Sequence, residues 1–450
     1  MNSQTHTEAM LTKLAPFLTI LPTALPAESK TRPEDFTRNR KLPFPTVITT
    51  TLSLVVNGNK HGMDHHLGAF MRDARRSGLW PDAQAAGRSA LSKARKKVPW
   101  EIFRETLTDA VGVAYELWPD DTRYTWHGMS VMATDGSKYT LPANDALRQV
   151  FDPNSGLDMS GKGHYPQCLV STLYDVFRRL PIARTVVDVN GSEREEATQL
   201  LPDVPKNSVW MFDRGYPSYE LFRLLHDTYE GYFLFRSPAS CTFPAVETFL
   251  ASGKVEDTIW ITPSNKALNK VSPRQRKRLK AIKLRVIRLE SPDGTVSVLL
   301  TNLLNQVTFP RQEIIVLYFD RWEVETYYRD EKVTLEIERF HTRTANGIRQ
   351  ELFAAPIMTV IARTLMIIAA DQCLKDHQQC QFTHAILTLA SDAAILVPDD
   401  PEQAIVIFQE VLQELARVKY YPPKTPRPSQ PRINKHPLNK WSKRNRQIPT

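Results

Sequence analysis

Apolar positions along this chain change their period several times, and the changes mark its elements. Met129–Ala133 is a short apolar run that stops at Asp135-Gly136-Ser137, and Val209–Phe212 is another that stops at Asp213-Arg214-Gly215. Runs this short, bounded by turn residues, predict buried strands that each deliver a carboxylate to a sheet edge. Between them, Gln167–Asp175 and Ile182–Val189 read as a β-hairpin turning around Phe177-Arg178-Arg179-Leu180-Pro181, followed by a helix over Glu193–Leu201. A helix around Ser218–Thr228 and a strand over Tyr232–Arg236 follow the second aspartate. The β-β-β-α-β-α-β order implies an α/β fold, a mixed sheet with helices on both faces.

The same pattern divides the chain. Residues 1–125 read as mainly helical, with Pro43–Val56 ambiguous because it is β-branched and apolar throughout. Residues 126–237 are the first part of the sheet core. About 80 residues then separate the Tyr232–Arg236 strand from the next charged helix, more than an ordinary loop holds, so 238–305 is read as a strand-rich, basic insertion subdomain. Residues 306–395 return to the core, and 396–450 form a C-terminal helix and a basic, Pro-rich tail. Leu352–Ala370 is apolar but contains Pro356 and Arg363, so it predicts a buried core helix rather than a membrane span.

Residues 318–332 carry the most chemistry. Tyr318, Arg321, Glu325 and Lys332 project at about 0°, 300°, 340° and 320° on a helix of about 100° per residue, and Arg329 joins them at about 20°. One carboxylate among three cations and a phenol suits a site that holds a divalent metal and grips phosphates. A solvated face with an Arg321–Glu325 ion pair is the plain alternative. Asp135 and Asp213 at strand ends favour the site. Two divalent ions can stabilise both the attacking and the leaving oxygen of a phosphodiester displacement, and hard Mg²⁺ ions need only a few carboxylates.

Composition agrees without discriminating. The 450 residues are 42% hydrophobic and 24% charged, with net charge +9 and a pI near 9.2, which favours a nucleic-acid partner. Four scattered cysteines argue for a reducing compartment. The early apolar run Leu14–Leu21 is broken by Pro16, so no leader peptide is read and a cytoplasmic location, with no membrane partner, is expected. Residues 266–288 carry Lys266, Lys270, Arg274, Arg276, Lys277, Arg278, Lys280, Lys283, Arg285 and Arg288 with no acid among them. Such density suits a DNA backbone, or else a solvated basic loop. Gly87–Lys97, with Lys93, Arg95, Lys96 and Lys97, reads as a basic helix flanked by helices: either a helix-turn-helix-like DNA reader or the basic outer face of a bundle. The tail after Tyr421 cannot bury a core and is either draped along a partner or disordered. Cys373, His377, Cys380 and His384 would share one helical face, but span roughly 16 Å and cannot surround one zinc ion. His61, His65 and His66 lack a partner set and receive no role.

Asp135, Asp213 and Glu325 resemble the catalytic triad of DDE transposases, and the Tyr-x2-Arg-x3-Glu-x6-Lys spacing of Tyr318, Arg321, Glu325 and Lys332 resembles the YREK signature of bacterial insertion-sequence transposases of the IS-four group. Asp213-Arg214-Gly215-Tyr216, Phe233-Leu234-Phe235-Arg236 and Val298-Leu299-Leu300-Thr301-Asn302 agree with it, and the resemblance covers roughly residues 88–370. It implies an RNase H-like core with an inserted, DNA-contacting subdomain, and a helix at Pro43–Val56. It implies cut-and-paste transposition through a hairpin intermediate, with two Mg²⁺ (or Mn²⁺) held by Asp135, Asp213 and Glu325. Tyr318, Arg321 and Lys332 would bind phosphate, with Arg329 added from the helical wheel. The implied partners are double-stranded DNA, as terminal inverted repeats and target, and a second copy of the chain on paired ends. Some relatives flip a base onto a Trp of the insertion; 290–317 has none, Trp260 is a candidate stand-in, and the role is left open. A metal-dependent nuclease without strand transfer, and a DNA-binding regulator that does not cut, remain as rival readings.

Overall fold

The computed structural model describes residues 3–37, 41–57, 62–154, 165–240, 243–264, 268–269, 272–276, 279–290, 294–375 and 378–421. His61, Lys266, Lys270, Lys277, Arg278, His377 and the tail from 422 lie outside them. Helices α1 (Ser3–Leu14), α2 (Phe44–Asn57), α3 (Met63–Arg76), α4 (Arg88–Arg95) and α5 (Glu101–Leu117) precede the sheet. Pro43–Val56 is therefore helical despite its β-branched composition. Thr49, Thr50 and Thr51 return their hydroxyls to carbonyls four residues back, which satisfies them inside the core.

The sheet has eight strands: β1 (Ser130–Thr140), β2 (Gln167–Asp175), β3 (Leu180–Asp188), β4 (Ser208–Phe212), β5 (Tyr232–Pro238), β6 (Glu256–Ile261), β7 (Ile282–Glu290) and β8 (Val296–Thr301). Their order is β3-β2-β1-β4-β5-β8-β7-β6. β1, β4 and β5 run parallel, and the other pairs are antiparallel. The first five strands and the intervening α7 (Glu193–Leu200) and α8 (Tyr219–Thr228) reproduce the RNase H-like order, and α6 (Asp145–Phe151) sits in the β1–β2 connection. Phe212 stacks on Phe235 at 4.3 Å, and Phe222 of α8 meets Phe235 edge-on at 4.8 Å, which fastens α8 to the parallel strands.

Two expectations change here, one for the end of β1 and one for Arg285. β1 does not stop at Asp135: it runs on to Thr140 because the antiparallel partner β2 continues the ladder, pairing Asp135 with Thr172 and Gly136 with Ser171. The inserted strands β6–β8 add to the core sheet through β8 and β5, with the short α9 (Pro244–Ala251) and α10 (Pro273–Arg276) around them. Arg285, expected in the basic DNA-facing set, is buried there, with Nε on Glu256 and Nη1 on the carbonyls of Leu303 and Phe309.

The stretch expected as one helix is three segments. α11 (Arg311–Asp320) ends in a tight turn where the Arg321, Trp322, Val324 and Glu325 N–H groups bond carbonyls three residues back. α12 (Glu323–Arg329) follows, and Asp330–Thr334 is a π-helical turn closed by Leu335 N–H to Asp330 O.

α13 (Ala345–Cys373) is long and apolar enough to cross a membrane by length and composition, yet 83% of its most apolar window is buried inside the protein. α14 (Phe382–Ser391) and α15 (Pro401–Arg417) pack beside it. Cys373 ends α13, Cys380 lies on a two-residue strand and His384 is on α14, so the expected single Cys/His helix face does not exist. The chain turns after Cys373, where the apolar face that α13 buries runs out.

Pro356 sits inside α13, where it can offer no N–H to the Leu352 carbonyl. Arg184 of β3 supplies the missing donor, Nη1 to Leu352 O at 2.5 Å. Its Nη2 reaches Glu331 at 2.9 Å and the Tyr327 hydroxyl at 2.7 Å, and Tyr327 and Tyr139 both donate to Glu331. Both charged side chains are fully buried. Removing one partner of such a pair leaves an uncompensated buried charge. Glu331→Gln should therefore lower the unfolding free energy by about 3–5 kcal/mol, read by urea denaturation; a loss below about 1 kcal/mol would remove this pair from the fold's supports.

Candidate active site

The parallel ladder between β1 and β4 pairs Thr134 with Phe212. The next residue on each strand is Asp135 and Asp213, so two strands deliver two carboxylates side by side. Glu325 comes from α12, which the Tyr328 hydroxyl holds over the sheet by donating to the carbonyls of Asp135 (2.7 Å) and Val170 (3.2 Å).

All three carboxylates meet at Arg321. Its Nη2 donates to Glu325 Oε1 at 2.9 Å and lies 4.0 Å from Asp213 Oδ1, while Nη1 is 3.9 Å from Asp135 Oδ2. Arg321 is only 6% exposed, and its Nε and Nη1 have no hydrogen-bond acceptor among the described residues. Burial works against its charge, but Tyr318, Asp213, Asp135 and Glu325 together hold its pKa above the usual arginine range. Burial likewise pushes the Asp135 carboxyl up to about 7; Arg321 opposes this, and Glu325 and Glu193 add repulsion.

Tyr318 lies beneath, its hydroxyl donating to Asp213 Oδ1 at 3.3 Å, and burial raises its pKa. Lys332, carried around by the π-helical turn, donates to Ser137 Oγ and Lys138 O, each at 2.7 Å, and its ammonium sits 4.6 Å from the Tyr139 ring centre. Burial lowers its pKa, and Glu338 and Glu331 partly offset that. Arg329 is exposed on a different side, lining a cleft with Arg363, Cys380 and Phe382. The tight turn at 321–322, between Tyr318 and Arg329, breaks the constant rotation on which the wheel placed it.

Glu193 was not singled out from sequence. It opens α7, and its carboxylate approaches the backbone beside both aspartates. Burial raises its pKa, with repulsion from Asp213 next. In sequence it is an ordinary acid in a helix's first turn, and the two glycines that its carboxylate approaches lie far from it along the chain.

The donor set is chemically suited to Mg²⁺ or Mn²⁺, since carboxylate oxygens are the hard ligands these ions take. Among the described residues no three His, Cys, Asp or Glu side chains already close around one point. The guanidinium occupies the gap and carries the positive charge that the carboxylates require, which is why they stand around it rather than against one another.

The basic positions divide. Lys93 and Lys96 are exposed on and just after α4, and Lys97 pairs with Asp35 at 2.6 Å. Arg95 is removed from any exposed set: it is 5% exposed, bonded to Gln350, Glu351 and Gly347 O. Arg274, Arg276 and Lys280 are exposed, as is Trp260 at 56%, whereas Phe309 is buried against Trp126 and Tyr232.

Comparison with known proteins fits this geometry. The family described as "Transposase DDE domain" matches residues 126–361, more than half of the chain. Transposase InsG for insertion sequence element IS4 of Escherichia coli (strain K12) is 28% identical over 297 residues, 63% of this chain and 62% of that protein. Putative transposase InsZ of the same strain is 28% identical over 160 residues, 34% of this chain and 51% of that protein. Putative transposase y4zB of Sinorhizobium fredii (strain NBRC 101917 / NGR234) is 26% identical over 198 residues, 44% of this chain and 52% of that protein. The matches thus span about half to six tenths of these relatives' lengths. A piggyBac transposase synaptic complex with hairpin DNA overlays at a TM-score of 0.45 and 12% identity, covering 93% of this chain and 87% of that one, which adds nothing to the fold described above. The family match runs from Trp126, just before β1, to Ile361 in α13 and so encloses all three converging carboxylates; this chain belongs to the transposase DDE-domain family.

Proposed function

We propose that this chain catalyses cut-and-paste transposition of an insertion sequence by hydrolysing a phosphodiester at each element end and transferring the freed strand to target DNA. The observation that carries this is the gathering of Asp135, Asp213 and Glu325 around Arg321. In this reading the three carboxylates hold two Mg²⁺, with Mn²⁺ as a substitute, and such ions activate the nucleophile and neutralise charge on the attacking and leaving oxygens.

The protein's own groups supply the rest. Arg321 presents a planar fork suited to two phosphate oxygens, and Lys332 a point charge beyond Asp135. Tyr318 orients Asp213 through its hydroxyl, contacts phosphate only by hydrogen bonding, and forms no covalent bond to DNA. Water attacks phosphorus at the element end and the 3′-oxygen leaves. That 3′-hydroxyl then attacks a phosphorus of the opposite strand, expelling the 3′-oxygen of the flanking DNA and closing a hairpin; water reopens it by releasing the same 3′-hydroxyl, which then attacks a target phosphorus and expels a target 3′-oxygen. Exposed Lys93, Lys96, Arg274, Arg276 and Lys280 track the duplex backbone, a contact whose affinity falls with salt. Arg329 would reach DNA from the far side of α12, and two copies of the chain would hold paired ends.

Glu325→Gln keeps the side chain's size and removes its charge. Donor DNA with matched ends, Mg²⁺ and this variant should give cleavage reduced by at least about 10²-fold, the scale of losing one transition-state stabiliser, with end binding by gel retardation within a fewfold of the parent. Retained nicking would refute the assignment. Cleavage by the parent without any joined product would mark a nuclease rather than a transposase.

The Asp135 pKa sets a pH test. In the folded protein it is about 7 against the ordinary 3.8, so between those values the folded state binds more protons than the unfolded chain. Stability of the metal-free protein therefore falls as pH rises through that window. Asp135→Asn removes the penalty. In EDTA it should be more stable than the parent by a few kcal/mol at pH 8 and equal to it near pH 3.5, by urea denaturation. Equal stability at pH 8 would count against a destabilised carboxylate cluster.

A further inference from the structure

The carboxylate of Glu193 enters the site through a gap that two missing side chains leave. A Cβ on Gly136 would stand 2.7 Å from its Oε1 and 2.8 Å from its Cδ, and one on Gly215 would stand 3.8 Å from its Oε2. Neither glycine has a positive φ, so turn geometry does not call for them. Gly136 lies inside β1, where a glycine weakens a strand. Its use there is to let this carboxylate lie against the backbone next to Asp135, while Gly215 does so two residues after Asp213.

The charge around Glu193 is unbalanced. Arg321 serves Asp135, Asp213 and Glu325. Among the described residues the Glu193 carboxylate makes no hydrogen bond or ion pair, and Asp213 and Asp135 face it as like charges. The next residue, Arg194, turns its Nε to the Gly215 carbonyl at 2.9 Å instead. Lys138 acts on it only from beyond ion-pair distance. A partly buried carboxylate repelled by two others is unfavourable unless a cation joins them. A cleft of about 420 Å³, lined by Lys138, Gly191, Glu193, Arg194 and Gly215, gives a hydrated ion a way in.

We infer that Glu193 is a fourth carboxylate of the metal site, binding a divalent cation together with Asp135 and Asp213. This rests on the proposed metal-dependent reading and adds a ligand to it. Two glycines that admit the carboxylate, and the lack of any ion-pair partner among the described residues, are what single it out from the other acids of α7.

The test is Mn²⁺ binding by the full chain, followed by electron paramagnetic resonance of the free ion, with thermal unfolding in EDTA and in Mn²⁺. Glu193→Gln should weaken Mn²⁺ binding about tenfold while the metal-free melting temperature stays level or rises, because a repulsion is removed. A structural Glu193 would instead lower the metal-free melting temperature and leave Mn²⁺ affinity unchanged, which overturns the inference. Gly136→Ala, which changes no charge but displaces the carboxylate, should lose Mn²⁺ affinity in the same direction; undiminished affinity there also overturns it. Asp213→Asn run in parallel separates the two levels. If it weakens Mn²⁺ binding and Glu193→Gln does not, only the fourth ligand fails; if neither does, the metal-dependent reading fails with it.

Discussion

Arg184 and Glu331 form the contact on which the rest of the molecule leans. An ion pair with no solvent exposure costs several kcal/mol per ion to desolvate, and it persists here because almost every donor and acceptor is used: Leu352 O, Thr172 Oγ1, Tyr327, Tyr139 and each other. These partners come from β1, β2, β3, α12 and α13, so one guanidinium ties the hairpin, the long core helix and the glutamate-bearing helix together. Pro356 and Arg184 also resolve each other's difficulty. The proline strands a helix carbonyl in the core, and the arginine needs an acceptor there.

With α12 fixed on the sheet, Glu325 has little choice but to face the ends of β1 and β4. The consequence is electrostatic strain. Three carboxylates share one arginine, burial pushes the Asp135 carboxyl up to about 7, and Glu193 adds a fourth charge with no hydrogen-bond or ion-pair partner among the described residues. Folding alone does not favour this arrangement. In the proposed function divalent cations and a phosphate complete the charge balance, and Arg321, whose Nε and Nη1 lack acceptors among the described residues, is placed for the phosphate.

The inserted strands show what a local reading leaves open. β6, β7 and β8 lie between residues 238 and 305, and β8 hydrogen-bonds to β5 so that the sheet grows to eight strands. Basic residues there separate by depth: Arg274, Arg276 and Lys280 stay outside, whereas Arg285 turns inward to Glu256. Charge density along a sequence does not distinguish these, because the acid that captures each base comes from another strand. Arg95 makes the same point, since its partner Glu351 lies on α13.

What the sequence determined was local. Short apolar runs marked β1 and β4, the hairpin residues marked β2 and β3, and the four-residue spacing of Arg321 and Glu325 put them within one turn. It did not show where β1 ends, because β2 and not the Asp-Gly pair decides that. Nor did it show the breaks at 321–322 and 330–334, since a helical wheel assumes one constant rotation and these turns depart from it. Glu193 was silent for a related reason: its meaning depends on glycines 57 positions before and 22 after it, brought together by strand order. Periodicity reports which face a residue shows to its own element. Which charges meet across elements is decided only by the register of β1 against β4 and by the helix that the Arg184–Glu331 pair holds above them.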